Sequence, residues 1–247
     1  TMNMGMAMSV ADQTQRGFNS PPIEMTIESQ VTKVDANGDI YANFSYSDAK
    51  VAAGANTSPE VVEAMRSQIQ KLVGLSGSIV VDNQGNTKQA SFNVPQDLDP
   101  TTKQMVSQMV NSLKQLTSPV PTEAVGVGAK WQVPNEVAVN GMNLNQTATY
   151  ELVDLKDNVA TLQANIEQQA APQKINSPAL PPGAALELTS LASQGNGKIT
   201  VALNQVMPIR STMSVRSNTQ MSVKQANNEK TTPMDMKVNI DMNLDSK

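Results

Sequence analysis

The chain has 247 residues and a formal charge of −4, from 18 Lys and Arg against 22 Asp and Glu, and it contains neither His nor Cys. Without those two residue types there are no disulfides, thiol nucleophiles, imidazole bases or ordinary zinc sites. The basic residues are scattered singly, which argues against nucleic acid as a partner.

The length suits one large domain or two smaller ones, either able to bury a core. Aromatics are only 3% of the residues, so that core must come from Val, Leu, Ile, Ala and an unusual 15 Met. No apolar run reaches signal-peptide or membrane-spanning length, so the chain is either cytosolic or follows a removed targeting segment. Low charge and abundant Asn, Gln, Ser and Thr favour an exported protein.

The chain opens TMNMGMAMSV, with Met2, Met4, Met6, Met8 and Val10 at alternate positions. This period of two predicts a strand with one apolar face. EMTIESQVTKVDANGDIYANFSYSDAKV reads as two strands around Asn37-Gly38, a pair suited to a tight primed turn. TSPEVVEAMRSQIQKLVG predicts a helix, with Ser58 as N-cap, Pro59 first, an apolar face of Val62, Met65, Ile69, Leu72 and Val73, and Gly74 to end it. SGSIVVDNQGNTKQASFNV is a second hairpin around Gly85. DPTTKQMVSQMVNSLKQLTSP predicts a second helix with Met105, Met109, Leu113 and Leu116 on its oily side.

After the Pro-rich connector TSPVPTEAVGVG (117–128), AKWQVPNEVAVNGMNLNQTATYELVDL turns at Asn140-Gly141. The strand NVATLQANIE follows a turn at Lys156-Asp157. Residues 184–192 predict a short third helix. KITVALNQV, RSTMSVRSNTQMSVKQ and PMDMKVNIDMNL close the chain as strands, the last with Met234, Met236, Val238, Ile240, Met242 and Leu244 in alternation.

The expected fold is α+β and predominantly antiparallel: a long curved sheet or half-barrel of about 10–12 strands, with two to three helices packed on one face. It is read as a single β-rich domain over 1–247. The order of elements recurs, which suggests pseudo-repeats 1–118 and 126–245 joined by 117–128.

Motifs for chemistry fail on spacing. DANGD places Gly38 fourth and Tyr46 twelfth, where a calcium loop needs Gly sixth and Glu twelfth. GNGK (195–198) lacks the flanking residues of a phosphate loop, and GVG (126–128) precedes a strand rather than a helix. No catalytic residue, cofactor or metal is expected. Trp131, the single tryptophan, reads as a core anchor at a sheet edge.

The methionines therefore carry the functional reading. Nine of them (Met2, Met4, Met6, Met8, Met213, Met221, Met234, Met236 and Met242) fall at alternate strand positions, and Met65, Met105 and Met109 fall on helix faces. They could simply fill a core, since thioethers adapt to irregular gaps. They could instead line a space for a lipid or other apolar ligand, with Met4, Met6, Met8, Met65, Met105, Met109, Met236 and Met242 as its walls. A Cu(I) site built from MNMGM thioethers is a third reading; the lack of His or Cys and the dryness of a core-facing stripe stand against it.

PTEAVGVGAKWQVPNEVAVNGM, QTATYELVDLKDNVATLQANI and GNGKITVALNQVMPIRSTMSV together resemble a poorly characterised bacterial envelope family of predicted lipoproteins. The layout is also similar to the LolA-like carriers, whose concave sheet face holds acyl chains. What the resemblance implies is a non-enzymatic, exported envelope protein that binds a lipid or apolar ligand. The alternative is a structural or interaction protein with a closed core and an envelope protein as partner.

Overall fold

The computed structural model describes residues 1–10, 13–14, 17–52, 57–94, 103, 106–107, 110, 120–121, 123–139, 141–175, 185–203, 205, 207–224 and 231–246. In chain order the elements are β1 (Met2–Val10), β2 (Gln13–Thr14), β3 (Phe18–Asn19), β4 (Ile23–Val34), β5 (Ile40–Val51), α1 (Pro59–Gln70), β6 (Ser76–Val81) and β7 (Thr87–Asn93). They continue as β8 (Lys130–Val139), β9 (Met142–Lys156), β10 (Val159–Ala170), β11 (Gln173–Ile175), β12 (Ala185–Ala202), β13 (Arg210–Lys224) and β14 (Thr231–Asp245). Twelve of these strands have three residues or more; β2 and β3 are two-residue bridges.

The expected layer of two to three helices is corrected. Among the described residues the protein is nearly all antiparallel sheet, with one short helical element, α1. The third predicted helix, 184–192, is instead strand over its described residues 185–192, the start of the 18-residue strand β12. Its Leu-rich sequence has fair helix propensity, but β12 pairs with β13 on one side and with β10 and β11 on the other. Cross-strand pairing and burial outweigh a weak intrinsic preference. The second predicted helix falls almost entirely outside the described residues.

The chain divides into two compact units. One comprises Thr1 and Pro21–Val125, the other Met2–Ser20 and Gly126–Lys247. In the first, the strands run in the order β7-β6-β5-β4, all antiparallel.

Its two hairpins use the same device. In 35–39, Asp35 Oδ1 accepts the N–H groups of Asn37 (2.9 Å) and Asp39 (3.0 Å). In 82–86, Asp82 Oδ1 accepts those of Gln84 (2.9 Å) and Asn86 (2.8 Å). The fourth residue of each turn is a glycine at φ +85, Gly38 and Gly85, a conformation that glycine adopts without a steric penalty. Asn37 has no positive φ, so this is a longer Asx-capped turn rather than the two-residue primed turn expected there. Lys88 Nζ pairs with Asp39 Oδ2 at 2.5 Å beside both turns.

α1 packs on β5, where Gln70 Nε2 donates to Ala49 O at 2.6 Å. Ser58 is its N-cap and Pro59 its first residue. The stop is a turn in which Gly74, at φ +89, donates its N–H to Tyr46 O at 2.8 Å. The core here is Tyr46, Leu72, Leu75 and Val106, with Met25, Phe44 and Phe92 against it. Phe44, Gly77 and Phe92 are register partners on three strands. A Cβ on Gly77 would stand 2.5 Å from Phe44 Cζ, and without it the Phe44 and Phe92 rings meet edge to face at 5.0 Å.

In the second unit the order is β1-β14-β13-β12-β10-β9-β8. β1 pairs with β14 over nine residues, so the first and last strands of the chain are neighbours. β9 and β10 are joined by a two-residue turn in which Asp157 (φ 51) and Asn158 (φ 61) both have positive φ, as a type I′ turn requires. β11 is held to β9 by Gln173, whose amide donates to Asn143 O (3.0 Å) and accepts from Asn143 N–H (2.8 Å).

Candidate functional site

Register decides which side chains of the second unit share a face. Residues directly opposite in an antiparallel ladder project from the same side, with Cβ atoms about 4.5–5.5 Å apart. One such row crosses all seven principal strands as Trp131, Tyr150, Ala164, Gly197, Met213, Met242 and Met2. Everything two residues along from these positions lies on the same apolar face. The opposite side of β14 is polar, carrying Asp235, Lys237, Asn239 and Asp241, all exposed.

The face is not uniform in depth. Across β8, β9, β10 and β12 it forms a dry core of Ala148, Tyr150, Leu152, Ala160, Leu162, Ala164 and Ile199, with Trp131 and Met213 packed against it. Trp131 stacks on Tyr150 at 5.7 Å and 26°. A second cluster is built on Val137, Leu144, Ile175, Leu188, Leu191 and Met221, with Met142, Met234 and Met236 against it. Between the clusters runs a polar row, Asn135, Gln146, Gln168, Ser193 and Ser217, whose members are register partners on five strands. Gln168 Nε2 donates to Gln146 Oε1 at 2.7 Å, which satisfies part of the polarity placed among aliphatic side chains.

Toward β14 and β1 the face opens. Met2, Met4, Met6 and Met8 stand opposite Met242, Ile240, Val238 and Met236. None of the eight is buried, and Met2 and Met242 are 36% and 40% exposed. Of the residues expected to wall a ligand space, Met4, Met6, Met8, Met236 and Met242 are therefore brought together on two adjacent strands. Met65 belongs to the first unit, half-buried on α1. Met105 and Met109 lie outside the described residues.

Residues 101–208 match the family of unknown function DUF6263. That segment includes the whole of β8 to β12, the dry half of the face, and stops short of the β13 and β14 methionines. No curated protein and no solved structure shows a match to the chain.

Two features of the face went unrecognised in the sequence reading. The polar row is one. The other is Gly197, which sits in the middle of β12 rather than in a loop: the GNG stretch that fails as a phosphate loop is a strand interior. A Cβ on Gly197 would stand 2.3 Å from Thr212 O and 3.0 Å from Met213 Sδ, so the glycine makes room for the thioether beside it. A glycine flanked by alternating residues is a usable signal for such close approach. Among the described residues, no group of three or more His, Cys, Asp or Glu side chains is placed to hold a metal.

Proposed function

We propose that the protein is a non-enzymatic, exported binder of an apolar ligand, with a lipid acyl chain as the preferred class. The ligand would lie along the β1 and β14 side chains of the second unit. The observation that carries this reading is the block of eight apolar residues from Met2 to Met8 and Met236 to Met242, none of them buried. A contiguous apolar surface left partly in water is characteristic of a binding site. From Met2 to Met8 it extends about 20 Å at ~3.4 Å per strand residue, longer than one leaflet's half of a ~30 Å hydrocarbon core. Unbranched thioethers repack around chains of variable shape at little cost. The polar row from Asn135 to Ser217 on the same face would suit the ester or amide end of such a ligand.

Native mass spectrometry of protein purified from its own host tests this, together with titration of an apolar fluorescent probe. Co-purifying lipid and saturable probe binding, blocked by Met6→Trp in a protein that still unfolds cooperatively, is the expected result. Neither lipid nor probe binding in the parent protein would overturn the reading in favour of a structural or interaction role in an envelope assembly.

A further inference from the structure

We propose that Met2, Met242 and Met213 bind one soft monovalent cation, Cu(I) or Ag(I), through their thioether sulfurs. The three are consecutive register partners on β1, β14 and β13 and project from one face. Direct cross-strand neighbours have Cβ atoms about 4.5–5.5 Å apart, a spacing that three flexible side chains can close to a common point. Met4, two residues along β1 on the same face, is available as a fourth ligand at the diagonal position.

Thioethers are soft donors and select Cu(I) over hard or borderline cations, for which this face offers no carboxylate or imidazole. The objection raised by the sequence, that a methionine stripe would be sealed in a core, does not hold at this end of the face. Met2 is 36% and Met242 40% exposed, so both side chains border solvent. Met213 leans away, its Sδ over Gly197. Rotation about its side-chain bonds would turn that sulfur toward Met242, and the ligand would draw a half-buried thioether out of the sheet's packing.

This site shares Met2 and Met242 with the acyl-chain site, but its test is separate, because its ligand is an ion and its readout is stoichiometric. The full chain is titrated with Cu(I) under anaerobic, reducing conditions against a chromogenic Cu(I) chelator, and with Ag(I) by native mass spectrometry. The expected result is one equivalent of either ion, movement of the Met2, Met213 and Met242 methyl resonances, and no uptake of Zn(II). Met242→Leu, which preserves volume, should weaken binding about tenfold or more, and Met2→Leu should do the same without touching the interior. Met221→Leu, on the same strand as Met213 but 8% exposed, should leave binding unchanged. Absence of binding in the parent protein, or unchanged affinity in both Met242→Leu and Met2→Leu, would overturn the proposal.

Discussion

Met213 lies across Gly197: its Sδ and Cε are 3.0 and 2.9 Å from the point that a Cβ on Gly197 would occupy, and Thr212 O is closer still at 2.3 Å. The thioether of β13 can reach the aromatic and aliphatic cluster on β9 and β10 because β12 offers no side chain at that step. Gly197→Ala should therefore destabilise the second unit by about 1–3 kcal/mol, the usual penalty of overpacking. Gly195→Ala meets nothing closer than Val215 Cγ2 at 3.1 Å and should be milder. Chemical denaturation of the two variants gives the order directly.

The contrast between the dry and open halves of the face predicts different responses to truncation. Leu188 is 1% exposed, and Leu188→Ala should lower stability by about 2–5 kcal/mol through lost burial and a new cavity. Met6 is only half-buried, and Met6→Ala should reduce stability by well under half of that. Equal losses in the two variants would mean that the β1 methionines are core.

Deleting residues 1–10 removes nine cross-strand pairs with β14 and uncovers its apolar row. The thermal unfolding midpoint should fall by several degrees, and the truncated protein should self-associate through the newly open edge. Calorimetry and sedimentation together report both effects.

The twin hairpins make stability depend on acid. Removal from water is the largest single influence on the Asp35 carboxyl and pushes its pKa up. The N–H groups of Asp39 and Asn37, the Tyr41 hydroxyl and the Lys33 charge together outweigh it and hold the group below the usual carboxylate range. Asp82 behaves likewise, with Asn86 and Gln84 as the opposing donors and Lys88 nearby. A folded-state pKa below the unfolded one means that the stabilisation is present above the unfolded value, near pH 4, and is lost as pH falls through the folded one. Wild-type protein should lose stability below about pH 4, and Asp35→Asn together with Asp82→Asn should flatten that part of the profile.

Much of the local structure was determined by the sequence alone. The alternation in MNMGMAMSV and PMDMKVNIDMNL dictates two strands with one apolar face, since side chains alternate across a pleat. Ser58, Pro59 and Gly74 bracket α1, and Gly38, Gly85 and Gly141 mark hairpin turns because glycine tolerates positive φ. The helix expected at 184–192 shows where local preference yields: ALELTSLAS is a strand because β10, β11 and β13 supply its backbone partners.

Tertiary structure decided what register alone can supply. Nothing in the spacing of Met2, Met213 and Met242, more than 200 residues apart at the extremes, says that they stand side by side. A shift of one residue in either ladder would send each row to the opposite face. The same holds for the polar row from Asn135 to Ser217, five residues from five strands aligned by pairing. Their alignment is a sum of backbone hydrogen bonds and burial over the whole ladder, a long-range quantity that no window of sequence contains.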